Sequence, residues 1–252
     1  MKRWPNRLSK RFPRAACLAA WTLAGTPALG QTAAPALDPR LLDFADLAHY
    51  AAANAALPAP GPGSIRRVVF LGDSITEFWA TLDPDFFKHP GFINRGISGQ
   101  TTPQMLIRFR QDVIALKPAV VHILAGTNDI AGNTGPMELS ATEANIASMI
   151  DLARAHHIRV VLGSTLPAAD FPWHRGLEPG PKIVALNAWL EHYAAKARIT
   201  YVDYYSALTD GALGIRSELS PDGVHPSLQG YRAMDPLAQA AIHEAQRRPA
   251  PR

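Results

Sequence analysis

Five short apolar runs constrain this 252-residue chain more than any other feature. They cover 68–71, 92–95, 119–125, 158–162 and 199–202, and are dominated by Val, Ile, Leu and Phe. Runs of this kind without polar alternation suit strands buried on both faces, as in a parallel sheet. Helical spacing fills most of the chain between them. Strands alternating with helices mean an α/β fold with helices on both faces of the sheet. Right-handed crossovers then favour one three-layer α/β/α sandwich, for which we expect strand order 2-1-3-4-5.

In chain order, residues 31–39 are rich in Ala and Pro and form a lead-in. The spacing of Leu41, Phe44, Leu47, Ala48 and Ala51 predicts a helix over 40–57, packed on the outside and without chemistry of its own. Further helices are expected over 75–80, from Thr101 or Thr102 to about 116, and over 139–156, 182–197 and about 226–246. Residues 81–91 and 206–223 read as irregular, and 165–181 as a long loop holding Phe171, Trp173, His174 and four prolines. Gly61-x-Gly63 precedes a strand instead of following one, so it is no dinucleotide fingerprint. The chain has no internal repeat.

The formal charge of +4 is misleading. Six of the basic residues lie in 1–30 with no acid among them, leaving 19 basic against 21 acidic residues beyond it. That balance gives no reason to expect a nucleic-acid or anionic-membrane partner. Residues 1–30 read as a secretory signal: a basic start, an apolar stretch from Ala15 to Leu23, and small residues Ala28 and Gly30 before a cut expected after Gly30. The apolar stretch is too short for an ordinary membrane span. Cys17, the only cysteine, lies inside this leader, so the exported chain has no disulfide or thiolate metal site. About 220 residues then remain, enough for one domain with a full core.

Four places fall at carboxyl ends of expected strands or just before helices. They are Ser74 in Gly72-Asp73-Ser74-Ile75-Thr76, Gly99, Asn128, and the pair Asp222 and His225. Gly72 permits a sharp turn, which puts Ser74 at the amino end of a helix, where unpaired N–H groups favour negative charge. Acyl transfer through serine needs a hydroxyl, an imidazole, a carboxylate to hold the imidazole, and donors for an oxyanion. The side chain of Asn128 and the backbone N–H of Gly99 could be such donors, with Gly96 as the competing glycine.

Each place also has a plainer explanation. Asp73 or Ser74 could simply cap a helix. Ser-Pro-Asp-Gly at 220–223 is strong turn chemistry, and Asn128 could serve as a loop cap. A metal site built on Asp222 and His225 would need a further ligand such as Asp203, Asp129 or His122, and no spacing suggests one. His122 reads as a satisfied core histidine, His156 and His157 as complements to a helix end, and Trp79 and Trp189 as core. Asp129 is expected to orient a loop near Asn128. Trp173 and His174 lie in the loop expected on the active edge and are candidates for shaping a substrate site.

Taken in order, Gly72-Asp73-Ser74-Ile75-Thr76, Ile97-Ser98-Gly99-Gln100-Thr101-Thr102, Gly126-Thr127-Asn128-Asp129 and Asp222-Gly223-Val224-His225-Pro226 resemble the four blocks of the GDSL, or SGNH, hydrolases. Asn94-Arg95-Gly96-Ile97-Ser98-Gly99 is similar to the platelet-activating-factor acetylhydrolase-like branch. The resemblance implies a flavodoxin-like sandwich over 65–246, after a leader (1–30) and a lead-in with a helix (31–64). It implies an ester hydrolase without metal or cofactor, with Ser74 as nucleophile, His225 as base and Asp222 as its partner. The Ser74 and Gly99 N–H groups and the Asn128 side chain would form the oxyanion hole. The serine lacks the Gly-x-Ser-x-Gly elbow of the α/β-hydrolases, which disfavours that fold. Thr76 stands where many members carry Leu.

The expected activity is an exported esterase for short acyl, above all acetyl, esters of a carbohydrate or lipid. A lysophospholipase or thioesterase acting on longer chains is the alternative, with acyl transfer as a variant. A non-catalytic glycan-binding module is the reading from another class.

Overall fold

Residues 42–249, apart from 62 and 64, are described by a computed structural model. The leader and residues 31–39 lie outside them. All five apolar runs become strands: β1 (Val68–Gly72), β2 (Phe92–Gly96), β3 (Val120–Leu124), β4 (Arg159–Gly163) and β5 (Thr200–Val202). Every pairing is parallel, and the order is β2-β1-β3-β4-β5. Gly72, the last residue of β1, pairs with Gly96 on one side and Leu124 on the other. The chain segments leaving β1, β2 and β3 therefore emerge side by side at the carboxyl edge.

The strands do alternate, but between two apolar layers. Val69, Leu71, Val121, Ile123, Val160 and Leu162 pack in one core with Met105, Phe109, Ile146, Met149, Ile183 and Leu186. Those partners come from α4 (Thr102–Asp112), α6 (Leu139–Ala155) and α7 (Pro179–Ala197). Val68, Phe70, Val120, Val161 and Val202 face the other core with Ile75, Trp79, Tyr231, Met234 and Ala238. These belong to α2 (Ser74–Leu82) and α9 (Leu228–Arg247). Two apolar faces erase the polar alternation of a half-exposed sheet, which is why the strands read as continuous runs.

Trp79 is fully buried, its indole N–H donating to Asp235 Oδ1 at 2.9 Å. Trp189 is only partly buried and stacks on Tyr193. Among the described residues no helix is long and apolar enough to cross a membrane.

Several boundaries differ from expectation. Of the helix predicted over 40–57, the described residues show Leu42 helical, turns across 43–50 and α1 (Ala51–Ala56). The side chain of Asp43 accepts the Ala48 N–H at 3.0 Å, and Asp46 takes a left-handed φ of 51°. A local carboxylate thus offers the backbone an alternative to helix, and apolar spacing alone does not reveal it. The long loop ends earlier than predicted because Pro179 enters the first turn of α7, where a missing N–H costs nothing. The final helix begins at Leu228, where the Ser227 hydroxyl accepts the Gly230 N–H at 3.2 Å. Short helices also form where loops were expected: α3 (Pro84–Phe87), α5 (Thr127–Ala131) and α8 (Tyr204–Leu208).

The segment 43–57 is not a bystander on the surface. The Tyr50 hydroxyl donates to Gly96 O at 2.5 Å, and Asn54 Nδ2 donates to Asp112 Oδ1 at 2.6 Å. Arg95 Nε donates to Asn54 Oδ1 at 2.8 Å. These contacts brace the end of β2, from which the Gly99 loop departs.

Candidate active site

Gly72 closes β1 where a side chain cannot fit: a Cβ there would lie 2.0 Å from Thr76 Oγ1 and 2.7 Å from Leu124 O. Asp73 is the N-cap of α2, its carboxylate accepting the Ile75 N–H at 2.9 Å. Capping thus falls to Asp73, and Ser74 is left as the first helical residue with its hydroxyl uncommitted to the backbone. Ser74 Oγ lies 2.9 Å from His225 Nε2, although the two residues are 151 apart in sequence.

His225 Nδ1 lies 2.7 Å from Asp222 Oδ2. An ionised carboxylate only accepts, so Nδ1 carries the proton and Nε2 presents its lone pair to the Ser74 hydroxyl. The other Asp222 oxygen accepts the backbone N–H groups of Val224 (2.9 Å) and His225 (2.8 Å). Burial works to raise the Asp222 carboxyl, but these hydrogen bonds outweigh it and hold the group below the usual carboxylate range. Ser220 Oγ donates to His225 O at 2.7 Å and accepts the Gly223 N–H at 3.0 Å, closing the turn beneath the imidazole. The strong turn chemistry at 220–223 is therefore real, and it carries the Asp–His pair.

Asn128 lies in α5, which starts after Gly126 at φ 108°. Its amide donates to Gln100 O at 3.0 Å and lies 3.4 Å from Asp73 Oδ2. Its oxygen accepts from Asn133 Nδ2 at 2.8 Å, which settles the amide's orientation. A proton offered to a substrate oxygen is most readily released from the longer contact, to Asp73.

Hydrogen bonding separates the two candidate glycines. The Gly96 N–H is engaged by Asn94 Oδ1 at 2.8 Å. The Gly99 N–H donates to no acceptor among the described residues, while its carbonyl accepts from Asn133 Nδ2 at 3.2 Å. Gly99 has φ 78°, and a Cβ there would meet nothing nearer than 3.9 Å, so glycine is needed for backbone conformation and not for space. Glu77, on α2, holds the same loop by accepting from Ser98 N (2.7 Å) and Ser98 Oγ (2.5 Å).

The long loop contributes unequally. The Trp173 ring lies 5.9 Å from that of His225, stacks on Phe171 and donates from Nε1 to Asn133 Oδ1 at 3.1 Å. His174 instead lies with Nδ1 2.8 Å from Ala131 O, pinning the loop to α5. Sequence reasoning missed Phe78, whose ring lies 5.4 Å from His225 on the α2 side. Its position four residues after Ser74, on one helix face, was a usable signal. It also missed Asn133, which ties together Gly99, Asn128 and Trp173.

Other candidates fall away from the site. Asp129 is buried and accepts from Thr102 N at 3.1 Å and from the Thr102 hydroxyl, joining α5 to the start of α4. Burial raises its carboxyl despite these donors. His122 is satisfied on one side only: Nε2 lies 2.8 Å from the Tyr204 hydroxyl, and Nδ1 has no partner among the described residues. Among those residues no three His, Cys, Asp or Glu side chains gather as a metal-binding set.

Burial pushes the Asp73 carboxyl up from 3.8 to about 7, with the Ile75 N–H and His225 acting in the opposite sense. A carboxyl raised in the fold contributes stability that is present below its unfolded value and lost as pH climbs through the folded one. His122, pushed by burial from 6.5 down to about 3, works the other way and costs stability as pH falls. The difference in unfolding free energy between Asp73→Asn and the parent isolates Asp73. It should grow from about pH 4 to above pH 7 and then level off. Urea titrations across that range measure it, and a flat difference would show that Asp73 is not the buried titrating group.

Against known proteins, residues 70–233 match the model of the GDSL-like Lipase/Acylhydrolase family. A GDSL-like lipase from Bacteroides thetaiotaomicron VPI-5482 is 49% identical, with TM-score 0.77, covering 80% of this chain and 99% of that one. A Bacteroides fragilis protein assigned as an acylhydrolase is 50% identical, with TM-score 0.79, covering 81% of this chain and 99% of that one. Esterase TesA of Pseudomonas aeruginosa is 29% identical over 177 residues, which are 65% of this chain and 81% of TesA. The fold, the ordered motifs and these likenesses together establish that the chain belongs to the GDSL-like lipase/acylhydrolase family, whose members hydrolyse esters.

Proposed function

We propose that the protein is an exported serine esterase that removes short acyl groups, chiefly acetyl, through an acyl-enzyme. The observation that carries this reading is the Ser74–His225–Asp222 relay, with contacts of 2.9 and 2.7 Å. His225 Nε2 takes the Ser74 proton as Oγ bonds to the ester carbonyl carbon. The oxyanion is met by the Ser74 and Gly99 N–H groups and by Asn128 Nδ2. The imidazolium, steadied by Asp222, then protonates the leaving oxygen as the C–O bond breaks and the alcohol departs. Water gives a proton to His225 and attacks the acyl carbonyl. Ser74 regains its proton as the carboxylic acid leaves. Export rests on the basic and apolar leader over 1–30.

The short-chain preference is supported by Trp173. Its indole is fixed by stacking on Phe171 and by the bond to Asn133, so it forms a stiff wall beside His225. The alternative, longer chains, draws support from Phe78 and Leu82, one turn apart on α2 and 36% and 44% exposed. A p-nitrophenyl ester series decides between them. The short-chain reading expects kcat/KM to fall beyond about six carbons, and Trp173→Ala to raise the octanoate-to-acetate ratio by about tenfold. A parent optimum at eight carbons or more would select the longer-chain reading. A fluorophosphonate adduct on Ser74, read by peptide mass, tests the nucleophile itself.

A further inference from the structure

We propose that a cleft at the opposite edge of the sheet is a binding site for a tetrahedral oxyanion, a phosphate group carried free or on a small molecule. The cleft encloses about 550 Å³ where β4 and β5 begin, far around the sheet from the Ser74 edge. Four arginines line it: Arg154 in the last turn of α6, Arg159 at the start of β4, and Arg198 and Arg248 just beyond α7 and α9.

The ordinary explanation is that arginines gather where helices end, to complement the dipole and satisfy terminal carbonyls. Here those carbonyls are largely served by the backbone. Ala153 O accepts from Ile158 N, Ala194 O from Ile199 N, Ala195 O from Arg198 N, and Ala245 O from Arg248 N. Among the described residues Arg248 is the only one of the four with an acidic partner, Glu244, and it also donates to Arg198 O at 3.0 Å. Arg159 uses only Nε, donating to Arg248 O at 2.9 Å. The guanidinium groups of Arg154 and Arg198 make no hydrogen bond or ion pair among the described residues. Three helix ends at roughly half a charge each, plus one carboxylate, do not balance four guanidinium groups.

Unpaired guanidinium forks match an oxyanion two N–H groups at a time. The surplus is local, since the chain beyond residue 30 carries more acidic than basic residues.

The test uses the full exported chain and the double variant Arg154→Gln/Arg198→Gln. The probes are inorganic phosphate and glycerol 3-phosphate, with sodium chloride at matched ionic strength as control. Saturable binding by calorimetry is expected, with the melting temperature raised by roughly 3–6 °C at ten times the Kd. The double variant should bind each probe at least tenfold more weakly while hydrolysing p-nitrophenyl acetate at the parent rate. Tighter binding of glycerol 3-phosphate would assign the cleft to a phosphorylated small molecule, and equal binding to free phosphate. No shift beyond the chloride control, or a shift that persists in the double variant, would overturn the proposal.

Discussion

Ser74→Ala should hydrolyse p-nitrophenyl acetate at least about 10⁴-fold more slowly than the parent, with an unchanged melting temperature. The variant keeps the imidazole, its carboxylate and the proposed oxyanion donors but has no oxygen to form the proposed acyl-enzyme. His225→Ala should fall about as far, because the hydroxyl at 2.9 Å then has no base. Asp222→Ala should cost less, since it spoils the tautomer and orientation of His225 without removing the base. Asn128→Ala should lose roughly 10²–10³, the usual effect of deleting one oxyanion donor. Ser74→Ala/His225→Ala should be no worse than either single change, because the two residues act as one unit. Additive losses would mean that they contribute separately. Near-parent activity in Ser74→Ala would remove the proposed nucleophile. Circular dichroism at matched concentration checks that each variant is folded.

The parts of the site legible in the sequence are those whose chemistry is local. Each strand is an apolar run, each run ends in a turn, Ser74 and Asn128 lie in or just past two of those turns, and His225 lies in the turn before the last helix. Strand order followed because the crossover rule leaves few alternatives. What stayed hidden depends on which partner a polar group finds. Gly96 and Gly99 look alike in sequence, and only the Asn94–Gly96 hydrogen bond disqualifies the first. His122 looks like any core histidine, and only its surroundings show that Nδ1 goes without a partner. The segment 43–57 has helical spacing, but Asp43 and Asp46 redirect its backbone and bring Tyr50 and Asn54 against the Gly99 side of the sheet.

Arg108 is the extreme case. It sits in α4 two residues before Arg110, and the local pattern gives no reason to bury one and expose the other. Yet Arg108 and Asp112 are both 0% exposed. The Arg108 guanidinium donates to Gly72 O and Arg95 O at 2.9 Å each, to Gln100 Oε1 at 2.5 Å and to Asp112 Oδ2 at 3.2 Å. One side chain thereby joins the end of β1, the end of β2 and the loop whose Gln100 carbonyl holds Asn128. Partners separated by 36 and 13 residues cannot be read from a helix pattern.

Removing that guanidinium should therefore affect both stability and rate. Arg108→Met leaves the Asp112 carboxylate buried with Asn54 as its remaining side-chain partner, removes the guanidinium donor from Gln100 Oε1 and Arg95 O, and leaves Gly72 O with the Ile97 N–H alone. Breaking a buried ion pair from one side costs about 3–5 kcal/mol, most of it from the stranded charge. At roughly 2–4 °C per kcal/mol for a chain of this size, the melting temperature should drop by about 6–20 °C. Arg108→Met/Asp112→Leu should recover part of that loss, because no bare carboxylate remains, but should not recover kcat. The Gly99–Gln100 loop would still lack the tie that Arg108 makes to Gly72 and Gln100, so the proposed oxyanion donors would be less well ordered. Arg108→Lys should fall between, since an ammonium keeps the charge but cannot reach all these acceptors with a fixed fork. Urea midpoints and single-temperature kcat values, taken well below every melting point, separate the two effects. A double variant that regained stability and kcat together would confine Arg108 to holding the fold. Regained stability with kcat still depressed would place it in the support of the oxyanion loop.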